Sequence, residues 1–380
     1  MNLFKYLFII LVAFVFISCE KSNPVQSKLM QSNNKLITEY DKMVDYAFNG
    51  YTDKRYNAGF NIALINGENV YTYSYGETSL GKGILSDQNT MYEIGSITKV
   101  FTAISLLYYL ETHNISINAP IKNYLPISLN GKLNKNGIEI TFQHLLNHTS
   151  GLERIPSDII SSKNPYAGYD STKIFNYLSN HNLVYTPGTF PINEDEISSH
   201  YSNLAYALAG IILERSLNKS LNGIFSEYIF GKFNMSSSTL NDISTNSNIA
   251  FPHNLLGNTS YWDMSGFAAA GGIKSNLNDM VKFTINQINN IDDEKLNYVI
   301  NECQIPLVSL NGFPVFGLGW EFFTMENGQK ILVKDGGTGG FTSFIAICKD
   351  SKKGIVALFN NNAESNQSEF VIRLINSYFK

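Results

Sequence analysis

The stretch "YEIGSITKVFTAISLLYYLE", residues 92–111, puts Ser96 and Lys99 three positions apart at the start of a strongly apolar segment. The apolar side chains recur with the spacing of a helix: Ile97, Val100, Phe101, Ile104 and Tyr108. A helix that begins at Ser96 would bring Ser96 and Lys99 onto one face. Ser96 is therefore either a nucleophile with Lys99 as its base, or an N-cap followed by a solvated lysine.

The Ser-x-x-Lys spacing alone does not decide between these interpretations, because it also occurs at residues 32–35, 79–82 and 216–219. Among these, only Ser96 stands at a predicted helix entrance. A serine hydroxyl needs a base, and a lysine serves as one only when burial or nearby positive charge lowers its pKa. The N-terminus of the helix would also offer backbone N–H groups to a developing oxyanion.

A second candidate motif lies in "EISSHYSNLAYALAG", where Tyr201, Ser202 and Asn203 directly precede another apolar helical pattern. Of the 22 tyrosines, Tyr201 alone has an asparagine two residues later. A tyrosine near a lysine can pass a proton to a leaving group, and the Asn203 side chain can hold a substrate carbonyl. The alternative is a capping turn, with Ser202 as the N-cap and Tyr201 as a hydrophobic staple.

The third candidate is "LVKDGGTGGF", residues 332–341, in which a predicted strand carries Lys334 into a run of glycines. Substrate contacts are expected from Lys334, Gly336, Gly337 and Thr338. The backbone N–H of Gly337 would complete an oxyanion hole with that of Ser96. The spacing of the glycines is not a dinucleotide-binding fingerprint, and the stretch taken alone could be a twisted strand end.

Strand patterns occur at the two ends of the chain. Asn66-Gly67 is the pair expected in a type I′ hairpin turn, Asn327-Gly328 marks a second hairpin, and "FTSFIAICKDSKKGIVALFNN" indicates a third. Helical patterns dominate between them, at residues 96–111, 141–148 and 203–219. The pattern predicts an α/β (α+β) fold in which five or six antiparallel strands from the N- and C-terminal segments form one sheet, flanked by helices, with a mostly helical inserted subdomain.

The three motifs together resemble those of the serine hydrolase family that includes class C β-lactamases, D-alanyl-D-alanine carboxypeptidases (penicillin-binding proteins) and related esterases. Ser96-Ile97-Thr98-Lys99 resembles the nucleophile motif, Tyr201-Ser202-Asn203 the Tyr-x-Asn motif, and Lys334-Asp335-Gly336 the Lys-Thr-Gly motif. Supporting segments are "LLNHTSGL", "PGTF", "AAAGGIKSNLNDM" and "FGLGW", so the resemblance runs from about residue 40 to the C-terminus.

The resemblance implies a β-lactamase/transpeptidase-like fold and an acyl-enzyme mechanism without metal or organic cofactor. Ser96 would attack a carbonyl, Lys99 and Tyr201 would move protons, and Asn203 would position the acyl group. One departure is Asp335, which stands where the family motif has Thr and puts a carboxylate beside Lys334. That carboxylate would weaken the positive field met by a substrate carboxylate, and Lys334 would pair with it.

The N-terminus "MNLFKYLFIILVAFVFISCEKSN" has the order of an export signal, with a basic residue, an apolar stretch and then Ser18-Cys19. Its ending resembles a bacterial lipobox, which predicts cleavage before Cys19 and lipidation of that thiol. An ordinary signal peptide is the alternative. We expect residues 1–18 to be the signal peptide and residues 19–36 a polar tether.

Residues 37–380 are then expected to form one catalytic domain, with an α/β part at about 37–95 and 300–380 and a helical insert at about 96–299. The protein would be exported and lipid-anchored to a bacterial membrane, on the periplasmic side of the outer membrane. The net charge of −4 is spread thinly, without a basic block, which argues against nucleic acid as a partner. The oligomeric state is not specified by the sequence.

Cysteine and histidine spacing argues against other kinds of site. Cys303 and Cys348 have no CxxC partner, a plain buried thiol is expected for Cys348, and no disulfide is predicted. His144 and His148 have the spacing of a zinc helix, but Leu145 occupies the position of the catalytic Glu, so structural hydrogen bonds are expected instead.

Two classes of function remain open. One is a serine hydrolase acting on cell-wall peptide, β-lactam or ester carbonyls. The other is a non-catalytic lipoprotein that retains the fold and binds a peptidoglycan fragment or a partner.

Overall fold

The structure is a computed structural model, and it describes residues 31–49, 59–160, 163–190, 197–254, 257–362 and 365–380. The predicted signal peptide, Cys19 and most of the predicted tether lie outside the described residues. The described end of the predicted tether already contacts the folded domain. Gly76 N donates to Gln31 O at 2.7 Å, and Asn33 N donates to Ser74 O at 3.2 Å.

The strands, in chain order, are β1 (Gly59–Asn66), β2 (Asn69–Gly76), β3 (Tyr92–Glu93), β4 (Asn134–Lys135), β5 (Ile138–Glu139), β6 (His253–Asn254), β7 (Gly257–Asn258), β8 (Lys274–Ser275), β9 (Val308–Leu310), β10 (Phe313–Phe316), β11 (Glu321–Thr324), β12 (Lys330–Gly337), β13 (Thr342–Cys348), β14 (Lys353–Phe359) and β15 (Asn361–Asn362).

The α-helices are α1 (Glu39–Asn49), α2 (Thr98–Thr112), α3 (Phe142–Leu146), α4 (Ser171–Asn180), α5 (Ile197–His200), α6 (Asn203–Leu217), α7 (Leu221–Phe225), α8 (Ala268–Gly271), α9 (Leu277–Ile288), α10 (Glu294–Cys303) and α11 (Ser365–Tyr378). Short 3-10 helices lead into α2 (Gly95–Ile97) and α8 (Ser265–Phe267).

One eight-stranded antiparallel sheet runs in the order β2-β1-β14-β13-β12-β11-β10-β9. Its strands come from the two ends of the described chain, and the helical segments lie between them in sequence, as predicted. The sheet is wider than the five or six strands expected, because β9 and β10 were missed. Both are short, and β10 contains Pro314 and a register shift, so neither shows a clear alternating pattern.

The sheet has a packed layer on each face, which follows from alternation along the strands. Ile62 and Leu64 of β1 belong to a core shared with α1 and α11. Ala63 and Ile65 point to the opposite core, which is shared with α2, α6 and α9. The C-terminal helix α11 thus packs on one face of the sheet.

The first hairpin is confirmed, but its turn differs from the predicted type I′. Asn66 pairs with Asn69 as the last strand residue, which leaves Gly67 and Glu68 as the two turn residues. Gly67 has a φ of +61°, whereas Glu68 is not among the residues of positive φ. A positive φ at the first turn position alone is the requirement of a type II′ turn.

Candidate active site

Ser96 lies in the 3-10 helix between β3 and α2, at the junction of the sheet and the helical insert. The N-cap of α2 is Ile97, which makes no side-chain capping bond, so the interpretation of Ser96 as the cap is wrong. The Ser96 Oγ instead lies 3.0 Å from Lys99 Nζ. The turn thus aims the hydroxyl at the lysine rather than at the helix backbone.

Lys99 is fully buried, with 0% of its surface exposed. Among the described residues, Lys99 Nζ makes one other hydrogen bond, which it donates to the backbone carbonyl of Ala270 in α8 at 2.7 Å. This acceptor carries no charge. Burial lowers the pKa of Lys99 well below its ordinary value, and the positive charges of Lys334 and Arg154 lower it further. The neutral amine is therefore favoured, which excludes the solvated-lysine interpretation.

Three basic side chains surround the ring of Tyr201. The centroid of its buried ring is 4.9 Å from Lys99 Nζ, 4.9 Å from Lys334 Nζ and 5.0 Å from the guanidinium carbon of Arg154. Burial raises the pKa of Tyr201, while Lys334 and the neighbouring Ser96 hydroxyl oppose the rise. Its hydroxyl oxygen is buried and completes no hydrogen bond in the described part of the chain.

Asn203 begins α6, where Ser202 is the N-cap and accepts from Ala205 N at 3.0 Å. The N-cap role that the alternative interpretation gave to Ser202 is therefore confirmed. Asn203 Nδ2 donates to the hydroxyl of Tyr166 at 2.7 Å. Its Oδ1 is buried and has no partner among the described residues, which leaves one acceptor open.

Lys334, on β12, is buried and paired with two carboxylates. Its Nζ donates to Glu321 of the neighbouring strand β11 and lies 3.5 Å from the Asp335 carboxylate. Burial acts to lower the pKa of Lys334, but Glu321, Tyr201 and Asp335 outweigh it, and the pKa is raised. Pairing with Asp335 was expected from the sequence, whereas Glu321 was missed.

The glycines bring β12 against the turn that carries Ser96. Gly95 has a φ of +47°, and a Cβ there would stand 2.6 Å from Gly337 N. A Cβ on Gly336 would stand 2.1 Å from Ile94 O, whereas one on Gly337 would meet nothing within 4 Å. The Gly337 amide therefore lies beside the Ser96 turn, with open space next to it.

Thr338 directly follows Gly337, at the end of β12. Its side chain is buried, its N–H donates to Phe341 O, and its carbonyl accepts from Asn362. Burial raises the pKa of Glu93, and the nearby Thr338 hydroxyl opposes that rise. These contacts tie the Thr338 backbone to the turn between β12 and β13, and its place in the substrate site stays a prediction.

Both histidines make structural hydrogen bonds, as expected. His144 Nδ1 accepts from Thr141 N, and His148 Nδ1 accepts from Ser202 N at 3.1 Å. His148 also packs its ring against Tyr201, with centroids 4.2 Å apart. Burial lowers the pKa of His148 well below its usual value, so it packs there uncharged.

Three residues near the site were not singled out from the sequence: Arg154, Tyr166 and Glu321. Each lies close to a motif in space but far from it in the chain. For two of them the sequence held a signal, because they lie beside segments that support the family resemblance. Arg154 is the second residue after "LLNHTSGL", and Glu321 directly follows "FGLGW". Cys303 and Cys348 are buried free thiols, as expected for Cys348.

Comparison with known proteins decides the family. A sequence model of the Beta-lactamase family matches residues 43–376, which is most of the chain. The chain belongs to this family. The fold brings the three motifs together in space. Ser96, Lys99, Tyr201 and Lys334 lie in one cluster.

Relatives within the β-lactamase family are distant. Protein flp of Staphylococcus aureus (strain MW2) is 25% identical over 351 residues, which cover 87% of this chain and 65% of flp. The D-alanyl-D-alanine-carboxypeptidase/endopeptidase AmpH of Escherichia coli (strain K12) is 25% identical over 329 residues, covering 83% and 81%. The chain thus spans just under two thirds of the length of flp.

Solved structures confirm the fold. A β-lactamase/D-alanine carboxypeptidase from Yersinia pestis superposes with a TM-score of 0.76 at 22% identity, covering 90% of this chain and 99% of that one. The octameric penicillin-binding protein homologue from Pyrococcus abyssi gives 0.74 at 20% identity, covering 90% and 78%. Within the described ranges, no helix has both the length and the apolar character needed to cross a bilayer.

Proposed function

We propose that the protein is an exported serine hydrolase that forms an acyl-enzyme on Ser96 with amide, β-lactam or ester substrates. The observation that carries the proposal is the 3.0 Å contact between Ser96 Oγ and the Nζ of a fully buried Lys99. A buried lysine with a lowered pKa is a general base, because its neutral form can accept the serine proton.

In the acylation step the Ser96 Oγ attacks the carbonyl carbon and its proton passes to Lys99 Nζ. The bond from that carbon to the leaving nitrogen or oxygen then breaks, and the leaving group takes a proton through the Tyr201 hydroxyl. Tyr201 in turn regains a proton from Lys99, so both side chains end the step as they began it. Water releases the acyl group by the reverse path.

The oxyanion formed in this step would be held by the backbone N–H groups of Ser96 and Gly337. Two observations support this: the amide of Gly337 lies beside the Ser96 turn, and open space adjoins it. Preorganised amides stabilise a tetrahedral intermediate because they need no reorientation as the charge develops.

Asn203 would position the acyl part of the substrate. Its Nδ2 is held by Tyr166, which orients the amide, and its buried Oδ1 has an open acceptor position. An unsatisfied buried oxygen is costly unless a ligand satisfies it. The other groups of the site, including Lys334, would then contact the leaving side.

The test is labelling of the mature protein with a fluorophosphonate and with a labelled penicillin, followed by intact-mass analysis and peptide mapping. We expect an adduct on Ser96 with at least one probe, and no adduct in Ser96→Ala. Ser105→Ala is the matched control, because Ser105 lies in α2, just after the Ser96 turn, and its buried hydroxyl has no hydrogen-bond partner among the described residues. It should label like the unmodified protein.

Two outcomes would contradict the assignment. An adduct that persists in Ser96→Ala would place the nucleophile elsewhere. Absence of any adduct on folded protein would favour the non-catalytic binding lipoprotein.

Membrane anchoring through Cys19 is a separate part of the proposal, supported by the lipobox-like end of the signal sequence. Cys19→Ser should leave the protein unlipidated and move it out of the membrane fraction, which metabolic labelling with a fatty acid and cell fractionation would measure. Unchanged association with the membrane would show that the lipobox interpretation is wrong.

A further inference from the structure

On the open edge of β12 the positively charged side chain is buried, and the negatively charged side chains beside it are partly exposed. The register of β11 against β12 ends with Glu321 opposite Val333, so β12 continues beyond its neighbour from Lys334 to Gly337. This edge lies next to the Ser96 turn. The edge therefore adjoins the nucleophile.

The ammonium on this edge is hidden, but its partners are not. The Lys334 side chain is 0% exposed, whereas the side chains of Glu321 and Asp335 are each 17% exposed. One carboxylate suffices to balance one ammonium, and here there are two. Burial raises the pKa of Glu321 to about 7, with Lys334 opposing the rise, so Glu321 adds its negative charge above that pH. The partly exposed side chains of this charged group are therefore the two acidic ones.

Arg154 is the other nearby cation, and it does not reverse this arrangement. Its guanidinium lies across the Tyr201 ring, at 5.0 Å from the centroid, and already has interactions of its own. Lys99 adds no permanent positive charge, since its amine is the base of the proposed reaction. The leaving-group side of the site is thus dominated by the Glu321, Lys334 and Asp335 group.

We propose that Asp335, supported by Glu321, makes the site selective for substrates whose leaving group carries no carboxylate. The favoured class is esters and amides with a neutral leaving group, including internal peptide bonds. The disfavoured class is peptides that end in a free carboxylate next to the scissile bond. The inference rests on the proposed function, because it assigns the leaving-group side of that site.

The physical reason is repulsion between like charges in a site of restricted solvation. A substrate carboxylate placed beside Lys334 would meet two carboxylates that already occupy the ammonium. A neutral amide or ester at the same place would not be repelled by these two carboxylates. Asp335 carries most of the effect, because Glu321 alone would leave the group with no net charge.

The experiment uses two substrates that differ only in this carboxylate: an N-acylated D-Ala-D-Ala peptide and its C-terminal amide. We expect the unmodified protein to have the higher kcat/KM for the amide. Asp335→Asn, which keeps the side-chain shape, should shift the ratio of the two values toward the free carboxylate by about tenfold. Asp335→Thr should shift it in the same direction.

The matched control is Asp350→Asn. Asp350 is exposed in the turn between β13 and β14, at the end of the sheet away from Gly337. Its substitution makes the same change in net charge without touching the site. The ratio should stay where it is.

A binding measurement keeps this inference separate from the proposed function. Calorimetric titration of the same two peptides into Ser96→Ala, with and without Asp335→Asn, reports the preference without any turnover. Stronger binding of the free carboxylate to Ser96→Ala, or a ratio that Asp335→Asn leaves unchanged, would overturn the inference. Failure of the fluorophosphonate to label Ser96 would contradict the proposed function instead.

Discussion

Two lysines contact the same tyrosine, and their environments move their pKa values in opposite directions. Lys99 Nζ and Lys334 Nζ are each 4.9 Å from the centroid of the Tyr201 ring. Burial lowers the pKa of Lys99, and Lys334 adds to that effect. Burial acts the same way on Lys334, but Glu321, Tyr201 and Asp335 together outweigh it. One lysine is thus suited to accept a proton and the other to remain charged.

The role of Lys334 predicts a pH effect. Lys99 must be neutral to act, so the rate of Ser96 labelling by a neutral fluorophosphonate should fall as the pH drops through the pKa of Lys99. Lys334→Met removes a charge that lowers this pKa and leaves the two carboxylates that raise it. The acid limb of the labelling profile should therefore move to higher pH, by on the order of one unit.

The control for this profile is Lys330→Met, on the exposed start of the same strand, which should leave the limb in place. Circular dichroism would confirm that both variants are folded. A limb that stays unchanged or moves to lower pH in Lys334→Met would show that Lys99 is not the group that titrates.

At the scale of elements, the site depends on the close approach of a turn to a strand. Gly95 has a positive φ. It also has no room for a side chain, because a Cβ there would stand 2.6 Å from Gly337 N. Ser343 holds the same junction by donating from its hydroxyl to Ile94 O at 2.8 Å. These contacts set the distance between the nucleophile and the proposed oxyanion amide.

Substitution of Gly95 tests that approach. Gly131→Ala is the matched variant, since Gly131 also has a positive φ, +84°, but nothing within 4 Å of its added Cβ. We expect Gly131→Ala to lower the free energy of unfolding by about 1 kcal/mol through backbone strain alone. Gly95→Ala should cost a further ~1–3 kcal/mol from overpacking and should reduce Ser96 labelling strongly.

Urea unfolding measures the first effect and labelling kinetics the second. Equal losses of stability in the two variants, with Ser96 labelling retained in Gly95→Ala, would contradict this prediction. The site would then not depend on the close approach of the turn to β12.

At the scale of the whole molecule, the sheet divides two cores with different tasks. One core contains α2 and α6, which carry Lys99 and Asn203, and the 3-10 helix that leads into α2 carries Ser96. The other lies between the opposite face and the pair α1 and α11. Since strands from both chain ends meet in the middle of the sheet, the second core holds the two ends together without reaching the chemistry.

A core substitution in α11 should therefore affect stability and spare the site. Leu374 is 0% exposed, so Leu374→Ala should lower the free energy of unfolding by ~2–5 kcal/mol. Below the melting temperature, the rate of Ser96 labelling should change by less than about twofold, because the cavity lies across the sheet. Arg373→Ala removes an exposed ion pair with Glu369 and should cost less than about 1 kcal/mol. A large loss of labelling in folded Leu374→Ala would contradict the division into two cores.

Much of the architecture followed from local patterns. Alternation marked the hairpins, helical spacing marked α2 and α6, and both are short-range consequences of backbone geometry. The wide spacing of the three motifs indicated the family before any fold was known. The short strands β9 and β10 escaped because a few residues with a proline carry too little periodic signal.

The composition and order of the motifs were thus enough for the fold class and for the choice of Ser96, Lys99 and Tyr201 as candidates. The state of those residues was settled only by tertiary structure. Whether Lys99 is buried, and whether Lys334 meets Glu321, depends on helix packing and on the register of β11 against β12. Burial and charge proximity act through space, and they shift pKa values by amounts that no local pattern encodes.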